Sequence, residues 1–507
     1  MRSDSASDPS SLLQQAVQLH QGGKLDAAQG LYRQVLALAP RQFDALHLLG
    51  VIERQQGRPE AAAALIAQAL QIDPGQARAH CNLGAALQDL GQPAAALASY
   101  DAALQRDPGY ALAWDNRGNA LRRLGRPLDA LDSYERALAL QPANASAWCH
   151  RAIALHDMGR HADAAASAER ALAERPGDPD ALLALGNALQ ALDHLAEALA
   201  AYDAALQGAP ENAETWCARG AALKKSGDPE AALASYEQAL ALRPDYALAE
   251  HYRANVLRAL GRRDAAIDAY RRALALGADA ADIRFALAAL GEAEQPAAAP
   301  PGYVRDLFDQ YAGHFDRHLV DVLGYRTPAL LAEMIVRHLP AATPPFRSAL
   351  DLGCGTGLCA PLLRPLAGRL TGIDLSPRML ERAAGLALYD ALDCADIVDW
   401  LTRFDGICDL AVAADVLVYI GDLAPLFAAV RRVLEAGGLF AFSCEALATA
   451  DARGYAIMPS NRYAHGLAYV TNTAVRTGFR IIETQDAVLR RDHRQDIAGH
   501  LVLLGTA

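Results

Sequence analysis

A proline recurs every 34 residues through the first half of the chain, at Pro40, Pro74, Pro108, Pro142, Pro176, Pro210 and Pro244. An alanine stands 12 residues before each proline, and a tyrosine stands eight residues before five of them. A fixed period of this length is typical of architectures in which each unit buries its apolar face only against its neighbours. The sequence therefore predicts an α solenoid of about eight units between residues 9 and 291, closed by a helix over residues 280–291.

Each unit is predicted to form a hairpin of two helices, with glycine at two fixed positions. The first glycine falls within the first helix, where the missing side chain lets the second helix approach closely: Gly84, Gly118, Gly186 and Gly220. The second glycine can take the left-handed conformation that ends the first helix: Gly57, Gly91, Gly125, Gly159, Gly227 and Gly261. The proline stops the second helix because it cannot donate a backbone hydrogen bond.

These positions resemble the tetratricopeptide (TPR) family, and segments such as NLGAAL (82–87) and NRGNAL (116–121) resemble the repeats of O-linked N-acetylglucosamine transferases. The resemblance implies a concave surface formed by the first helices. It also implies that asparagines at one repeat position bind the backbone of an extended peptide: Asn119, Asn187 and Asn255. The alternative for these asparagines is ordinary solvated polarity. We expect a protein or peptide partner in this groove.

A second column of equivalent positions is rich in cations and contains no acid: His20, Arg54, Gln88, Arg122, His156, Gln190, Lys224 and Arg258. Arg54, Arg122, Lys224 and Arg258 are candidate partner-binding residues, since they would favour an acidic segment or a terminal carboxylate. The alternative is helix-end electrostatics, because cations are favoured near the last turn of a helix. Both interpretations remain open at this point.

The second half of the chain carries a glycine-rich turn after an apolar strand. Within RSALDLGCGTG (347–357), the strand from Ser348 to Leu352 leads into Gly353, Gly355 and Gly357, and a helix follows. Glycine there permits backbone conformations and close ligand approach that a Cβ atom would block. A second strand, RLTGIDL, ends at Asp374, where a carboxylate can accept two ribose hydroxyl groups.

The combination of LDLGCGTG and GIDLSPRML resembles class I S-adenosylmethionine (SAM)-dependent methyltransferases, whereas a dinucleotide dehydrogenase would show a different glycine spacing. The resemblance implies an α/β Rossmann-like domain with a mostly parallel seven-stranded sheet, over residues 302–507, and SAM as cofactor. It implies that Asp374 binds the ribose, Asp396 the adenine amino group and Ile397 the ring face, with the backbone near Ala413 facing the methionine part. The cofactor-binding candidates are Asp351, Gly353, Cys354, Gly355, Gly357, Asp374, Leu375, Met379, Asp396, Ile397, Ala413 and Tyr311.

The segment YVRDLFDQYAGHFDRHLVDVLGYRTP (303–328) resembles the leader of a bacterial family of predicted methyltransferases that often carry TPR repeats. In such relatives this stretch covers the cofactor, so Tyr311 and Phe315 are candidate lid residues. The alternative is that both belong to the core of the first helix. The preceding run EAEQPAAAPP (292–301) is predicted to be a semi-rigid spacer, since it has three prolines and no apolar periodicity.

The acceptor side has a weaker signature, because methyl transfer needs mainly alignment and exclusion of water. The candidate catalytic residues are Tyr419, Glu445, Tyr463, His465 and His493, and His465 could take a proton near neutral pH. A structural role is the alternative for each. The fourth strand ends in AADVLVY and lacks the Asn/Asp-Pro-Pro-Tyr/Phe run of adenine and glutamine amino-methylation.

Composition and net charge limit the kinds of partner and cellular location that we expect for this chain. The chain has 507 residues and a net charge of −12, which disfavours nucleic acid as partner or substrate. The polar start (residues 1–8) is predicted to be disordered and lacks an apolar signal core. With scattered cysteines and no long apolar run, we expect a cytoplasmic protein without membrane spans or a metal site.

The leading function is a SAM-dependent methyltransferase whose TPR array recruits a protein partner or substrate. One alternative is a TPR scaffold with a SAM-binding but non-catalytic domain. Another is a small-molecule methyltransferase that uses the repeats for assembly. The acceptor and the oligomeric state stay open.

Overall fold

A computed structural model describes residues 8–312, 325–339, 346–448, 451–492 and 495–506. Two candidates from the sequence, Phe315 and His493, and most of the predicted disordered N-terminus lie outside the described residues, as does the side chain of Tyr311. The chain forms two compact units, Met1–Leu260 and Gly261–Ala507.

Helices in consecutive hairpins make up the first unit, with 13 residues in the first helix of each pair and 14 in the second. Their bounds are α1 Pro9–Gln21, α2 Leu25–Leu38, α3 Phe43–Gln55, α4 Pro59–Ile72, α5 Ala77–Asp89, α6 Pro93–Arg106, α7 Ala111–Arg123, α8 Pro127–Leu140, α9 Ala145–Asp157, α10 His161–Glu174, α11 Pro179–Ala191, α12 Leu195–Gly208, α13 Ala213–Lys225, α14 Pro229–Leu242 and α15 Ala247–Ala259. Each second helix ends two residues before the periodic proline, as the sequence predicts.

The repeat glycines do what their positions predict. Gly118 lies against the ring of Tyr134, and a Cβ atom there would come within 2.4 Å of that ring. The same contact pairs Gly186 with Tyr202, where the distance would be 2.5 Å. Only glycine allows the fully buried tyrosine to sit this close, because protein interiors have no spare volume. The glycine that ends each first helix has a positive φ, for example 70° at Gly125.

The second unit begins with helices α16 Arg263–Ala275 and α17 Ala280–Ala289 and continues as alternating strands and helices. The later helices are α18 Pro301–Tyr311, α19 Thr327–Arg337, α20 Ala360–Leu363, α21 Pro377–Gly385, α22 Ile397–Arg403, α23 Ala424–Val433 and α24 Leu467–Arg476. The strands are β1 Phe346–Leu352, β2 Ala367–Asp374, β3 Ala391–Cys394, β4 Cys408–Ala413, β5 Leu434–Ala446, β6 Tyr455–Ile457, β7 Tyr463–His465, β8 Phe479–Asp492 and β9 Gln495–Thr506.

The described strands form one sheet in the order β3-β2-β1-β4-β5-β7-β6, and β9 pairs with both β5 and β8. Strands β1 to β5 are parallel, whereas β8 and β9 form an antiparallel pair beside β5. The order reverses between β1 and β4, and ligands bind at such a switch point in open α/β sheets. The predicted solenoid followed by a Rossmann-like sheet is confirmed. The short hairpin β6–β7 was not predicted.

Apolar side chains alternate along β1 and thereby supply a core on each face of the sheet. Leu350 and Leu352 pack with Phe427 of α23 on one face. Ala349 packs with Met334 of α19 on the other. Coverage of both faces is required of a parallel sheet, because neither face can be left in water. Among the described residues, no helix has both the length and the apolar character needed to cross a membrane.

Candidate active site

The glycine turn after β1 is fixed by its neighbours on both sides. Gly353 and Gly355 have φ values of 72° and 54°. The backbone N–H groups of Gly353 and Cys354 donate to the carbonyl oxygen of Ile373, at 2.8 and 3.0 Å. A Cβ atom on Gly353 would come within 2.4 Å of the Val416 side chain. The turn therefore lies between the ends of β2 and β4, and the Val416 side chain packs where a Cβ atom of residue 353 would be.

Asp374 ends β2 and reaches across to this turn. Its Oδ2 accepts a hydrogen bond from the N–H of Gly355 at 2.9 Å, and its Oδ1 accepts one from the N–H of Ser376 at 2.8 Å. Burial raises the pKa of the carboxyl group above its usual value, while these backbone donors act in the opposite direction. The two bonds fix the orientation of the carboxylate, and each oxygen keeps a second lone pair.

Asp396 caps the start of α22. Its Oδ1 accepts hydrogen bonds from the N–H groups of Val398 and Asp399, at 2.9 and 3.0 Å. This is the ordinary role of aspartate at a helix N-cap. Oδ2 takes no part in these two bonds, so it can accept a hydrogen bond from a ligand.

One cavity joins these groups at the carboxyl ends of the strands. Seven of the predicted cofactor residues line it: Gly353, Cys354, Gly355, Asp374, Leu375, Asp396 and Ile397. Apolar side chains from α18 and from the region after β4 complete the wall, including Val304, Phe308 and Val416. A mostly apolar cavity with a few convergent polar groups is the usual form of a small-molecule site.

Four other predicted cofactor residues lie behind the cavity wall, and the structure corrects their placement. Asp351 is buried and accepts a hydrogen bond from the Tyr389 hydroxyl at 2.6 Å, and burial raises the pKa of its carboxyl group to about 7. Met379 is fully buried in α21. Gly357 and Ala413 are likewise absent from the cavity lining. These four lie outside the cavity lining, where they support the turn and the strand ends.

On the acceptor side, Tyr419 lines the cavity as the sequence predicts. The ring of Phe308 meets it edge to face, with 5.5 Å between centroids. The guanidinium group of Arg462 lies 5.9 Å from the Tyr419 ring centroid, within the range of a cation–π contact. Burial raises the pKa of the Tyr419 hydroxyl.

A buried charged cluster, absent from the sequence prediction except for Glu445, borders the same cavity. Arg490 is only 4% exposed and forms ion pairs with Glu445 and, at 3.2 Å, with Asp415. Arg462 lies 3.4 Å from Glu445. Asp415, Arg462 and Arg490 all line the cavity. They come from distant parts of the chain, so spacing could not bring them together. The one sequence signal for this cluster was Asp415, because it is a charged residue within the apolar run LAVAADVLVY (410–419).

The two remaining acceptor candidates do not enter the cavity, which corrects their predicted placement. His465 is fully buried in β7, and its Nε2 donates to the carbonyl oxygens of Ile420 and Gly421, at 2.9 and 3.2 Å. Burial lowers the pKa of its ring to about 4, so it is neutral and a weak base at neutral pH. The Tyr463 hydroxyl donates to the carbonyl oxygen of Pro296. Both side chains hold the wall together.

The segment predicted to be a spacer forms part of that wall. Ala299 donates its N–H to the carbonyl oxygen of Tyr419, and the carbonyl oxygen of Ala297 accepts from the N–H groups of Gly421 and Asp422, each at 2.8 Å. Residues 298, 299 and 301 line the cavity. The run contains no apolar periodicity because it is held by backbone pairing and by small side chains.

In the first unit, the asparagine column is oriented by the repeat tyrosines. The Oδ1 atoms of Asn119 and Asn187 accept hydrogen bonds from the hydroxyl groups of Tyr134 and Tyr202, each at 2.8 Å. Asn255 occupies the equivalent position on α15. With the amide oxygen held in this way, the amide N–H₂ group is directed away from the tyrosine.

The basic column is partly neutralised. Arg54 pairs with Asp89 at 2.6 Å and Arg122 pairs with Asp157 at 3.2 Å, and in both cases the acid lies 35 residues later. The position 35 residues after Lys224 is Ala259. The pKa of the Lys224 ammonium group is lowered by loss of solvent and by the nearby charge of Arg258. The acid that pairs with Arg54 and Arg122 at this spacing is therefore replaced by alanine in the case of Lys224.

Comparison with known proteins agrees with this architecture. Tetratricopeptide repeat family models match residues 13–77, 75–143, 116–179, 149–213, 213–246 and 246–284. The methyltransferase domain family matches residues 350–442, which hold the glycine turn, Asp374 and the strand ends. The chain belongs to the tetratricopeptide repeat proteins, and its second unit is a methyltransferase domain.

Several similar curated proteins are methyltransferases by name. Methyltransferase-like protein 27 of Homo sapiens is 40% identical over 87 residues, which cover 17% of this chain and 34% of the relative. The malonyl-[acyl-carrier protein] O-methyltransferase of Serratia marcescens is 29% identical over 133 residues, 26% of this chain and 52% of the relative. The matches thus span a third to a half of these relatives. The solved APC/C hetero-tetramer Cut9–Hcn1 has a TM-score of 0.44 at 19% identity, over 52% of each chain.

Proposed function

We propose that this methyltransferase uses SAM and that its TPR array recruits a protein or peptide as partner or substrate. The observation that carries the first part is the convergence of the Gly353–Gly355 turn with the oriented carboxylate of Asp374 on one cavity. When bound, SAM supplies a methyl group already activated on a sulfonium. The chain then has to hold the donor, align the nucleophile and exclude water.

The residues present fit this cofactor. Asp374 keeps a lone pair on each oxygen and so can accept both ribose hydroxyl groups, while Oδ2 of Asp396 can accept the adenine amino group. Leu375 and Ile397 provide apolar surface beside that position. The bare backbone of the glycine turn allows a close approach that side chains would prevent.

Calorimetry with the Asp374→Ala variant tests this placement. Loss of the paired hydroxyl acceptor leaves buried polar groups unsatisfied, at about 1–3 kcal/mol, so SAM affinity should fall at least several-fold. The control is Asp390→Ala, which removes an exposed carboxylate paired with Arg364 outside the cavity lining. Unchanged SAM affinity in Asp374→Ala, or tighter binding of NAD⁺ than of SAM by the wild type, contradicts the proposal.

The recruitment part rests on the oriented asparagines. The Asn187 amide, whose oxygen is fixed by Tyr202, can donate its N–H₂ group to a backbone carbonyl of a partner. The Asn119 N–H₂ group lies 3.3 Å from Nδ1 of His150, so one of its two hydrogens is left for a partner. Lys224, which has alanine in place of an acid 35 residues later, would favour an acidic segment at that end. Tethering the acceptor would raise its effective concentration near the methyl group without demanding a selective pocket.

Capture on the full chain separates this proposal from the two alternatives. Captured proteins should receive label from methyl-labelled SAM with the wild type and not with Asp374→Ala. Proteins that bind but are never labelled favour a scaffold with a non-catalytic domain. Label that appears only on small molecules favours a small-molecule methyltransferase whose repeats serve assembly.

A further inference from the structure

The charged cluster beside the cavity contains two arginines and two carboxylates, so its charges balance. Arg490 bridges Asp415 and Glu445, and Arg462 contacts the same oxygen of Glu445. Glu445 is 8% exposed and Arg490 4%, so the pairs are shielded from water. Charges are buried in this way only when paired, because the desolvation cost is otherwise prohibitive.

One atom of this cluster lacks a partner. Oδ2 of Asp415 meets Arg490, but Oδ1 is buried without a hydrogen bond from any described residue. Asp415 lines the cavity. A buried carboxylate oxygen nearly always has a donor, and an exception beside a cavity points to a group supplied by a ligand. The missing partner is therefore an O–H or N–H donor.

The backbone supports the same conclusion. Asp415 has a φ of 59°, which is uncommon for a residue with a Cβ atom, and strained residues of this kind concentrate at functional sites. Its N–H donates to Oγ of Ser443 at 2.9 Å, which holds the strained conformation in place. It lies two residues beyond the end of β4, the strand next to β1 and its glycine turn. The side chain is thus held at the reaction end of the sheet.

We propose that Asp415 binds the methyl acceptor and takes its proton, and that the acceptor is a nucleophile with an O–H or N–H group. The inference rests on the proposed SAM-dependent activity and deepens it by naming the class of acceptor. As the nucleophile's oxygen or nitrogen forms a bond to the methyl carbon, the methyl–sulfur bond breaks and its electron pair stays on sulfur. The nucleophile's proton passes to Oδ1 of Asp415.

The groups facing Asp415 suit a proton acceptor. Burial and Glu445 raise the pKa of its carboxyl group, whereas Arg490 and Arg462 lower it. The charge of Asp415 also contributes to the raised pKa of the Tyr325 and Tyr419 hydroxyl groups, for which burial is the main cause. Arg490 and Glu445 act as positioning residues, since Arg490 holds the carboxylate through Oδ2 and Glu445 in turn holds Arg490.

The competing acceptor is a carboxylate, which needs no base. The name of the Serratia marcescens relative gives a malonyl group as its substrate and oxygen as the methylated atom. In this chain both arginines already face carboxylates, so an added anion would carry an unbalanced charge into a buried cluster. It would also leave Oδ1 of Asp415 facing a second acceptor. The local charges therefore favour a neutral or cationic donor.

Three probes of similar size separate these chemistries: p-cresol, benzylamine and benzoate, each tested on the full chain with methyl-labelled SAM. We expect transfer to p-cresol or benzylamine in preference to benzoate. In Asp415→Asn, transfer to p-cresol should fall on the order of 100-fold, the usual range for loss of a general base. The defect should shrink as the pH is raised, because the phenolate needs no base. Asp390→Asn is the matched control, since it changes a carboxylate outside the cavity lining.

Binding gives a readout that does not depend on turnover. In the presence of S-adenosylhomocysteine, Asp415→Asn should bind p-cresol several-fold more weakly than the wild type. Methylation of benzoate alone, transfer to none of the probes, or equal rates in Asp415→Asn at neutral pH overturns the inference. Failure of the wild type to bind SAM is a different result, because it overturns the proposed function itself. If Asp415→Asn does not fold, the preference of the wild type among the three probes still decides.

Discussion

The Tyr463 hydroxyl donates a hydrogen bond to the carbonyl oxygen of Pro296, 2.7 Å away. It joins the last part of the predicted spacer to strand β7 of the methyltransferase sheet. Phe285 of α17 packs in the same apolar cluster as Tyr463 and Tyr419. The helix after the last hairpin and the segment that follows it therefore pack within the second unit, Gly261–Ala507.

A fragment that begins at residue 302, the start of the methyltransferase domain as predicted from the sequence, should consequently be defective. Without residues 295–301, the Tyr463 hydroxyl and the N–H of Gly421 lose their hydrogen-bond acceptors. Each buried group left without a partner lowers the free energy of unfolding by about 1–3 kcal/mol. We expect fragment 261–507 to bind SAM in calorimetry with the affinity of the full chain. Equal SAM affinity and equal thermal stability in fragment 302–507 would contradict this.

Two glycine substitutions in the array should have opposite effects on stability. Gly118→Ala places a Cβ atom 2.4 Å from the ring of Tyr134 and should lower the unfolding free energy by about 1–3 kcal/mol. Gly30→Ala adds a methyl group to helix α2 in open space and should raise it by about 0.5–1 kcal/mol. Fluorescence-detected urea unfolding in a Trp400→Phe background measures both, because the other tryptophans lie within the array. Destabilisation by both substitutions would show that helix propensity does not explain Gly30.

His465 should make the second unit less stable in acid. Its folded pKa of about 4 lies below the usual histidine value of 6.5, so the folded state resists protonation. Stability is therefore complete above about pH 6.5 and is lost as the pH falls toward 4, by about 2 kcal/mol between pH 7.5 and pH 5. Urea unfolding of fragment 261–507, followed at Trp400, should show this loss in the wild type and a smaller one in His465→Gln. Identical pH dependence in the two chains would mean that other groups cause it.

The parts of this protein that follow a local rule could be predicted from the sequence. The periodic proline and the paired glycines define hairpins because each acts on its own backbone or on a helix close in sequence. Gly355 and Asp374 were found because the turn and the second strand end keep a short spacing. Such signals need no knowledge of the tertiary fold.

The parts that depend on long-range packing could not be predicted. Asp415, Glu445 and Arg490 meet because β4, β5 and β8 converge at one end of the sheet. His465 was a candidate for taking a proton on the acceptor side, but the pairing of β7 with β5 buries it. Asp351 looked like a ligand residue by its place in the motif, yet its side chain turns to Tyr389 behind the wall.

The tyrosines that orient the groove asparagines should contribute to partner binding. If the Asn119 and Asn187 amides bind a partner's backbone, Asn→Ala at both positions should weaken binding of a captured partner several-fold, since each loses a hydrogen bond. Tyr202→Phe keeps the asparagine but removes the donor to its Oδ1, so it should weaken binding in the same direction and by less. Arg136→Ala, on the exposed side of helix α8, is the control. Surface plasmon resonance with the full chain immobilised measures the affinities. If Tyr202→Phe and the asparagine variants all bind as the wild type does, with the fold intact by circular dichroism, the groove asparagines are only solvated and the partner is held elsewhere.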